Sequence, residues 1–126
     1  MAFFSLIFFN NMKFTESLKK NEEFQIVYKS GKSYGNKYLV LYTLENNSDV
    51  NRLGISVSKK VGNSVVRHRL KRLIKESYRL HEEMFNSGLD IVVIARKNSD
   101  ACDYAGIDSA LLHLMKLSKV LKQNLV

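Results

Sequence analysis

The order of apolar and polar residues along the chain predicts alternating helices and strands. Within residues 16–30, Leu18, Phe24, Val27 and Tyr28 recur at a partly helical spacing, and Gly31 follows where a helix would end. Residues 37–44 are rich in Tyr, Val and Leu and precede the turn-forming residues 45–51. This part of the chain is therefore expected to form a helix and then a strand.

Strict alternation over residues 53–58 predicts a second strand. Leu53, Ile55 and Val57 form its apolar side, and the residues between them are very small. A face without bulky side chains lets another group approach the backbone. Residues 90–95 predict a third strand, and its apolar run after Asp90 is typical of a strand buried on both faces. The small residues of the second strand are Gly54, Ser56 and Ser58.

An amphipathic helix is predicted between the second and third strands. Asn63 or Ser64 can cap its first turn, and Gly88 stands where the helix is expected to end. Helical spacing places one largely apolar stripe along it. This stripe consists of Val66, Leu70, Leu73, Ile74 and Ser77. A last helix is predicted over residues 103–123, with a core stripe of Ile107, Leu111, Leu114, Met115 and Leu121.

Together these elements predict an α+β domain, an α/β sandwich, in residues 12–126. The 126 residues of the chain suit one compact domain and show no internal repeat or linker. Residues 1–11 are interpreted as a non-native upstream or disordered extension, with translation beginning at Met12. They lack the basic start and the small-residue cleavage site of a secretory signal, and their apolar run is too short to span a membrane.

The distribution of charge indicates a binding function. The chain has a formal net charge of +8, and residues 59–79 contain eight basic residues against one acid. Arg67 and Arg69 flank the apolar stripe of the predicted helix, and the other helical cations fall opposite it. A polyanion-binding face is therefore predicted, and replacing Arg67 and Arg69 by Ala is expected to leave the fold intact. The residues opposite the stripe are His68, Lys71, Arg72, Lys75 and Arg79.

No group of residues has the spacing of an active site. His68, His81 and His113 are scattered, and no Cys/His cluster has the spacing of zinc ligands. The glycines near residue 60 do not form a phosphate-binding loop, and the single cysteine, Cys102, indicates a reduced, cytoplasmic protein. Binding without a protein-held metal or cofactor therefore explains the chain better than catalysis does.

Aromatic pairs offer a second binding element. Phe24 and Tyr28 share one helical face, and Tyr38 and Tyr42 share one face of a strand. Each pair could pack in the core or could form a platform on which unpaired bases stack beside a cationic groove. The sequence leaves both interpretations open.

One segment resembles a known signature. Residues 52–79, RLGISVSKKVGNSVVRHRLKRLIKESYR, resemble the bacterial ribonuclease P protein family, whose helix typically carries Arg-Asn-Arg followed by a Lys-Arg pair. The likeness extends upstream through LKKNEEFQIVYKSGKSYGNKYLVLYTL and downstream through DIVVIARK. His68 stands where the family usually has Asn, whereas Arg67, Arg69, Lys71 and Arg72 match the pattern.

The resemblance implies a subunit that binds a catalytic RNA and promotes 5′ maturation of precursor tRNA. The RNA carries the catalysis and holds Mg²⁺, and no protein partner or membrane is required. It also implies a mixed sheet of about four strands with a left-handed βαβ crossover. The implied contacts to the RNA subunit are Lys59, Lys60, Arg67, His68, Arg69, Lys71, Arg72 and Lys75. The implied contacts to the single-stranded 5′ leader are Phe24, Tyr28 and Tyr42, with Ser56 and Ser58 as a small-residue floor.

Three other functions remain as alternatives. A DNA-binding or ribosome-associated module would use the same basic helix without depending on a catalytic RNA. A protein-only nuclease would need paired carboxylates, and Asp90, Asp100, Asp103 and Asp108 show no such pairing. A membrane-associated protein would need the Phe-rich start of the chain as its anchor.

Overall fold

The protein folds as a five-stranded mixed sheet packed against three α-helices. The structure, a computed structural model, describes residues 15–120. In chain order, the elements are β1 (Thr15–Ser17), α1 (Asn21–Ser30), β2 (Lys32–Gly35), β3 (Leu39–Glu45), β4 (Asn51–Ser56), α2 (Ser64–His81), β5 (Leu89–Ala95) and α3 (Tyr104–Leu117). Short 3₁₀ turns follow α2 at Glu82–Met84 and β5 at Lys97–Ser99. The predicted α+β class is confirmed.

The sheet has the strand order β1-β4-β5-β3-β2. Strands β1, β4 and β5 are parallel, whereas β3 runs antiparallel to both β5 and β2. Strand β5 is central, which explains its nearly continuous run of buried residues. The β4–α2–β5 connection joins two adjacent parallel strands, and its left-handed path stays a prediction.

The two faces of the sheet carry cores of very different size. Helices α2 and α3 cover one face, where Leu70 and Leu111 pack with Leu53 and Ile91 in a large buried cluster. Helix α1 covers the other face, where the fully buried part of the cluster comprises Leu18, Val27 and Val92. Because side chains alternate along each strand, neighbouring residues of β5 serve opposite layers. The arrangement is the predicted sandwich, with the sheet between two helical layers.

Two strands were missed in the sequence, and the first helix was predicted too long. Residues 15–17 form β1, so α1 begins at Asn21 rather than at residue 16, and Leu18 is buried in the connection between them. Strand β2 lies at the sheet edge and exposes Lys32, Ser33 and Gly35, so it has no apolar alternation to reveal it. The sheet therefore has five strands rather than about four.

The end of the basic helix was also predicted incorrectly. Helix α2 ends at His81 and passes into a 3₁₀ turn, whereas Gly88 lies just before β5 with a φ of +78°. Gly88 was predicted to end the helix. Its left-handed conformation instead turns the chain into β5. Helix α3 ends at Leu117. Leu121 and the rest of that predicted helix, like residues 1–11, lie outside the described residues.

Within residues 15–120, no helix is both long enough and apolar enough to cross a membrane.

Candidate RNA interface

Helix α2 presents its cations away from the core, as its periodicity predicts. Leu70, Ile74, Ser77 and Tyr78 are buried on the sheet side. The side chain of Asn63 caps the helix by accepting a 3.0 Å hydrogen bond from the Val66 N–H. Of the predicted RNA-subunit residues, Lys59, Lys60, His68, Lys71 and Arg72 are exposed, and Arg67, Arg69 and Lys75 are partly buried.

The first turn of α2 contains no acidic residue. The positive end of the helix dipole, which no carboxylate of that turn neutralises, lies beside the preceding turn at Lys59 and Lys60, where Val61 N–H donates to the Ser58 carbonyl at 3.1 Å. Helix, turn and side chains all favour a negatively charged partner here. This whole surface, made of Lys59, Lys60, Arg67, His68, Arg69, Lys71, Arg72 and Lys75, is called the basic face below.

The partly buried cations of the basic face have different surroundings. Arg69 donates a 2.7 Å hydrogen bond from Nη1 to the Cys102 carbonyl, so it also anchors the loop before α3. The Nε of Arg67 is buried and has no hydrogen-bond partner among residues 15–120. Burial lowers the pKa of Lys75, and the neighbouring positive charge of Lys71 lowers it further. Arg69 is thus partly structural.

A cleft of about 430 Å³ opens between α1, the end of β4 and α2. Strand β1 pairs with β4 only over Asn51–Leu53. The following residues of β4 still pair with β5 on one edge, and their other edge borders the cleft. Lys19 lies at one wall and Lys71 of the basic face lies at the other. The full lining is Lys19, Asn21, Phe24, Gln25, Tyr28, Ile55, Ser56, Val57 and Lys71.

Three of the predicted leader-binding residues are aromatic, and Tyr28 contacts both of the others. The ring centroids of Phe24 and Tyr28 lie 6.3 Å apart, and those of Tyr28 and Tyr42 lie 5.1 Å apart in an edge-to-face arrangement. Burial raises the pKa of Tyr28, and a side-chain hydrogen bond with Ser56 opposes this rise. The phenol is therefore neutral near pH 7. The three rings form one aromatic cluster, in which Phe24 and Tyr28 line the cleft, whereas Tyr42, also predicted to bind the leader, contacts Tyr28 from outside the lining.

The small-residue face of β4 is used in two ways. Of the two serines predicted as the floor of the leader site, Ser56 lines the cleft, whereas Ser58 is exposed in the following turn and is not part of the lining. At Gly54, a Cβ atom would lie 2.5 Å from Cζ of Phe24. The group that approaches the backbone at Gly54 is therefore a ring of the protein itself.

Sequence reasoning missed the polar part of the cleft. Asn21 and Gln25 are one helical turn apart and share a face of α1 with Phe24 and Tyr28, so helical spacing could have identified them. Lys19 precedes the helix and had no comparable signal. Lys71 was assigned to the RNA subunit alone, but it also lines the cleft.

The described part of the chain contains no group of three His, Cys, Asp or Glu residues arranged to hold a metal ion.

Comparison with known proteins identifies the family. The family model described as Ribonuclease P matches residues 12–119. The Ribonuclease P protein component of Lachnoclostridium phytofermentans is 59% identical over 110 residues, covering 87% of this chain and 95% of that protein. The solved RNase P protein of Staphylococcus aureus is 42% identical with a TM-score of 0.79, covering 84% of this chain and 97% of that one.

A solved RNase P protein from Thermotoga maritima shares the fold at lower identity. It is 36% identical with a TM-score of 0.74, covering 81% of this chain and 96% of that one. Sequence and fold thus agree with those of the relatives. The chain belongs to the ribonuclease P protein family, whose members bind RNA and form part of the enzyme that processes tRNA 5′ ends.

Proposed function

We propose that this chain binds the catalytic RNA on the basic face and the 5′ leader of precursor tRNA in the adjacent cleft. The observation that carries the proposal is the position of Lys71, which belongs to the basic face and also lines the cleft beside the aromatic cluster. An RNA on the basic face and a strand in the cleft would therefore lie next to each other. This is the geometry needed to present a leader to a ribozyme.

Electrostatics would supply the affinity for the RNA subunit. Each Lys or Arg that neutralises a phosphate releases counterions, so binding should weaken steeply as salt rises. The basic face has no acidic residue in its first helical turn to oppose this attraction. The RNA supplies the catalysis, and the protein supplies positive charge and shape.

The cleft suits an unpaired strand. Lys19 and Lys71 can approach the phosphates from opposite walls, and the ring of Tyr28 offers a surface on which a base can stack without sequence readout. Asn21 and Gln25 add amide groups that can hydrogen-bond to bases or sugars. A mature tRNA has no leader to occupy this cleft, so the site would favour precursor over product.

Magnesium ions are expected to be held by RNA phosphates. The groups lining the cleft and basic face are mainly cations, amides and aromatic rings, which do not fit a magnesium site. The place of action would be the bacterial cytoplasm, and no protein partner is required for the arrangement proposed.

Tyr28→Ala tests the cleft assignment, with Tyr34→Ala as a matched control because Tyr34 is a partly buried tyrosine outside the cleft. The dissociation constant of the reconstituted holoenzyme is measured for precursors with a five-nucleotide and a one-nucleotide leader. Loss of one base stack should weaken the longer precursor about tenfold relative to the shorter one, or ~1.4 kcal/mol. Equal weakening of both precursors by Tyr28→Ala would contradict the proposal.

A further inference from the structure

An ion network joins α1 to the sheet beside the cleft. Arg52 of β4 binds Asp90 of β5 in a bidentate manner, with Nε–Oδ1 and Nη2–Oδ2 distances of 2.8 and 2.6 Å. Its remaining terminal nitrogen, Nη1, pairs with Oε2 of Glu23 on α1. The guanidinium therefore connects a buried strand carboxylate to a helix on the sheet surface.

The carboxylate of Glu23 is fixed from two directions. Its Oε1 accepts a 3.0 Å hydrogen bond from the Lys20 N–H in a capping box, while Oε2 binds Arg52. The hydrogen bond from the Lys20 backbone lowers the pKa of Glu23, and Arg52 contributes to the same shift. Glu23 thus holds both the start of α1 and its link to β4.

Strand β4 contacts two successive residues of α1. Arg52 binds Glu23, and two residues later Gly54 accommodates the ring of Phe24. These contacts lie in the N-terminal half of the helix, which also carries Asn21 and Gln25 into the cleft lining. The position of this half-helix sets the distance between the cleft walls.

The apolar contacts of α1 are modest. Val27 is the one residue of α1 that is fully buried, and it packs with Leu18 and Val92. It lies one turn beyond Glu23, so the start of α1 is placed by the ion network together with the ring of Phe24 against Gly54. We propose that Glu23 and Arg52 are positioning residues that hold α1 at the separation from β4 needed to receive the leader.

This inference rests on the proposed leader site, and it predicts a specific kind of defect. The side chains of Arg52 and Glu23 are 33% and 26% exposed, so the pair should add little to global stability. Without the Glu23 charge, Asp90 keeps its hydrogen bonds from Arg52 and from Asn46 Nδ2 at 2.9 Å. Loss of the charge should therefore loosen α1 and leave the sheet intact.

The test compares Glu23→Gln with Glu22→Gln. Glutamine retains an oxygen that can accept the capping hydrogen bond, and both variants remove one negative charge from the same helical turn. Glu22 is exposed, and its side chain has no hydrogen bond or ion pair with a described residue. The measurements are holoenzyme affinity for precursors with five-nucleotide and one-nucleotide leaders, and the single-turnover cleavage rate constant at saturating enzyme.

Glu23→Gln should weaken the long-leader precursor three- to tenfold relative to the short one, with an unchanged saturating rate constant. Glu22→Gln should have no leader-dependent effect. Equal results for the two variants, or equal weakening of both precursors, would overturn the inference. Tyr28→Ala distinguishes failure of the positioning role from failure of the leader site. If Tyr28→Ala selectively weakens binding of the long-leader precursor and Glu23→Gln does not, only the positioning role is wrong. If neither variant does, the leader site itself is wrong.

Discussion

Arg69 Nη1 donates a 2.7 Å hydrogen bond to the backbone carbonyl of Cys102, and its Nη2 donates to the carbonyl of Asp100. One guanidinium of the basic face therefore secures the loop that leads into α3. This contact is formed within the protein, before any RNA is bound.

Arg69→Ala should lower the free energy of unfolding by about 1–2 kcal/mol, because two carbonyls lose a charged donor. His68→Ala, at the adjacent exposed position, should change it by less than about 0.5 kcal/mol. Urea denaturation followed by circular dichroism measures both values. Equal stability of the two variants would show that the loop does not depend on Arg69. The sequence-based expectation that replacing Arg67 and Arg69 by Ala leaves the fold intact did not take account of these two Arg69 hydrogen bonds.

Replacing Lys59 and Lys60 together by Ala should weaken binding of the RNA subunit and reduce its salt dependence. Each lost phosphate contact should reduce the slope of log K against log salt by roughly 0.7–0.9. Filter binding over a salt series gives the slope. Lys116→Ala on α3, an exposed lysine outside the basic face, is the control and should leave the slope unchanged. An unchanged slope in the double variant would remove this turn from the interface.

Gly54→Ala should displace the ring of Phe24, because the added Cβ would lie 2.5 Å from its Cζ. Overpacking of this kind costs about 1–3 kcal/mol of stability. Gly35→Ala is the matched control, since a Cβ atom there would lie an ordinary 3.8 Å from its nearest neighbours, Arg96 and Val40. Thermal unfolding of both variants checks the difference. If Gly54→Ala is as stable as Gly35→Ala, the ring does not occupy this position in solution.

Tyr78→Phe should flatten the loss of stability at alkaline pH. The hydroxyl of Tyr78 lies 2.8 Å from Oγ1 of Thr15, and burial raises the pKa of Tyr78 from 10.0 to about 12. Burial favours the neutral phenol in the folded state, so this contribution is complete below pH 10 and is lost as pH rises towards 12.

The variant should lose about 1 kcal/mol at pH 7, because Thr15 loses its hydrogen-bond partner. Between pH 10 and 11 its stability should then decline less steeply than that of the unmodified chain. Urea denaturation at pH 7, 9, 10 and 11 compares the two curves. Parallel curves would mean that Tyr78 ionises as readily in the folded as in the unfolded chain.

The elements best predicted from the sequence are those with a strong local signal. The stripe and cap of α2 and the apolar run of β5 were identified because period and burial agree there. Strand β1 has three residues and pairs with a strand far along the chain, so no local pattern marks it. The end of α2 was misplaced because glycine serves turns as well as helix ends.

The candidate site was predicted in part. Cations and rings were found by residue type and spacing, but the cleft itself arises where β1 stops and leaves the end of β4 beside two helices. Such a cavity depends on the three-dimensional arrangement of distant segments. For the same reason, the sequence showed that this face of β4 has small residues but did not show that the ring of Phe24 packs against Gly54.

The unequal cores of the sheet separate two requirements on the sequence. Nearly all of the large apolar cluster lies beneath α2 and α3, whereas the cleft is built on the thinly packed α1 side. If the cleft binds the leader as proposed, substitutions that tune this binding would fall on one layer while thermodynamic stability is maintained by the other. Under the proposed assignment of the cleft, a change in leader preference would not require the interior beneath α2 and α3 to be redesigned.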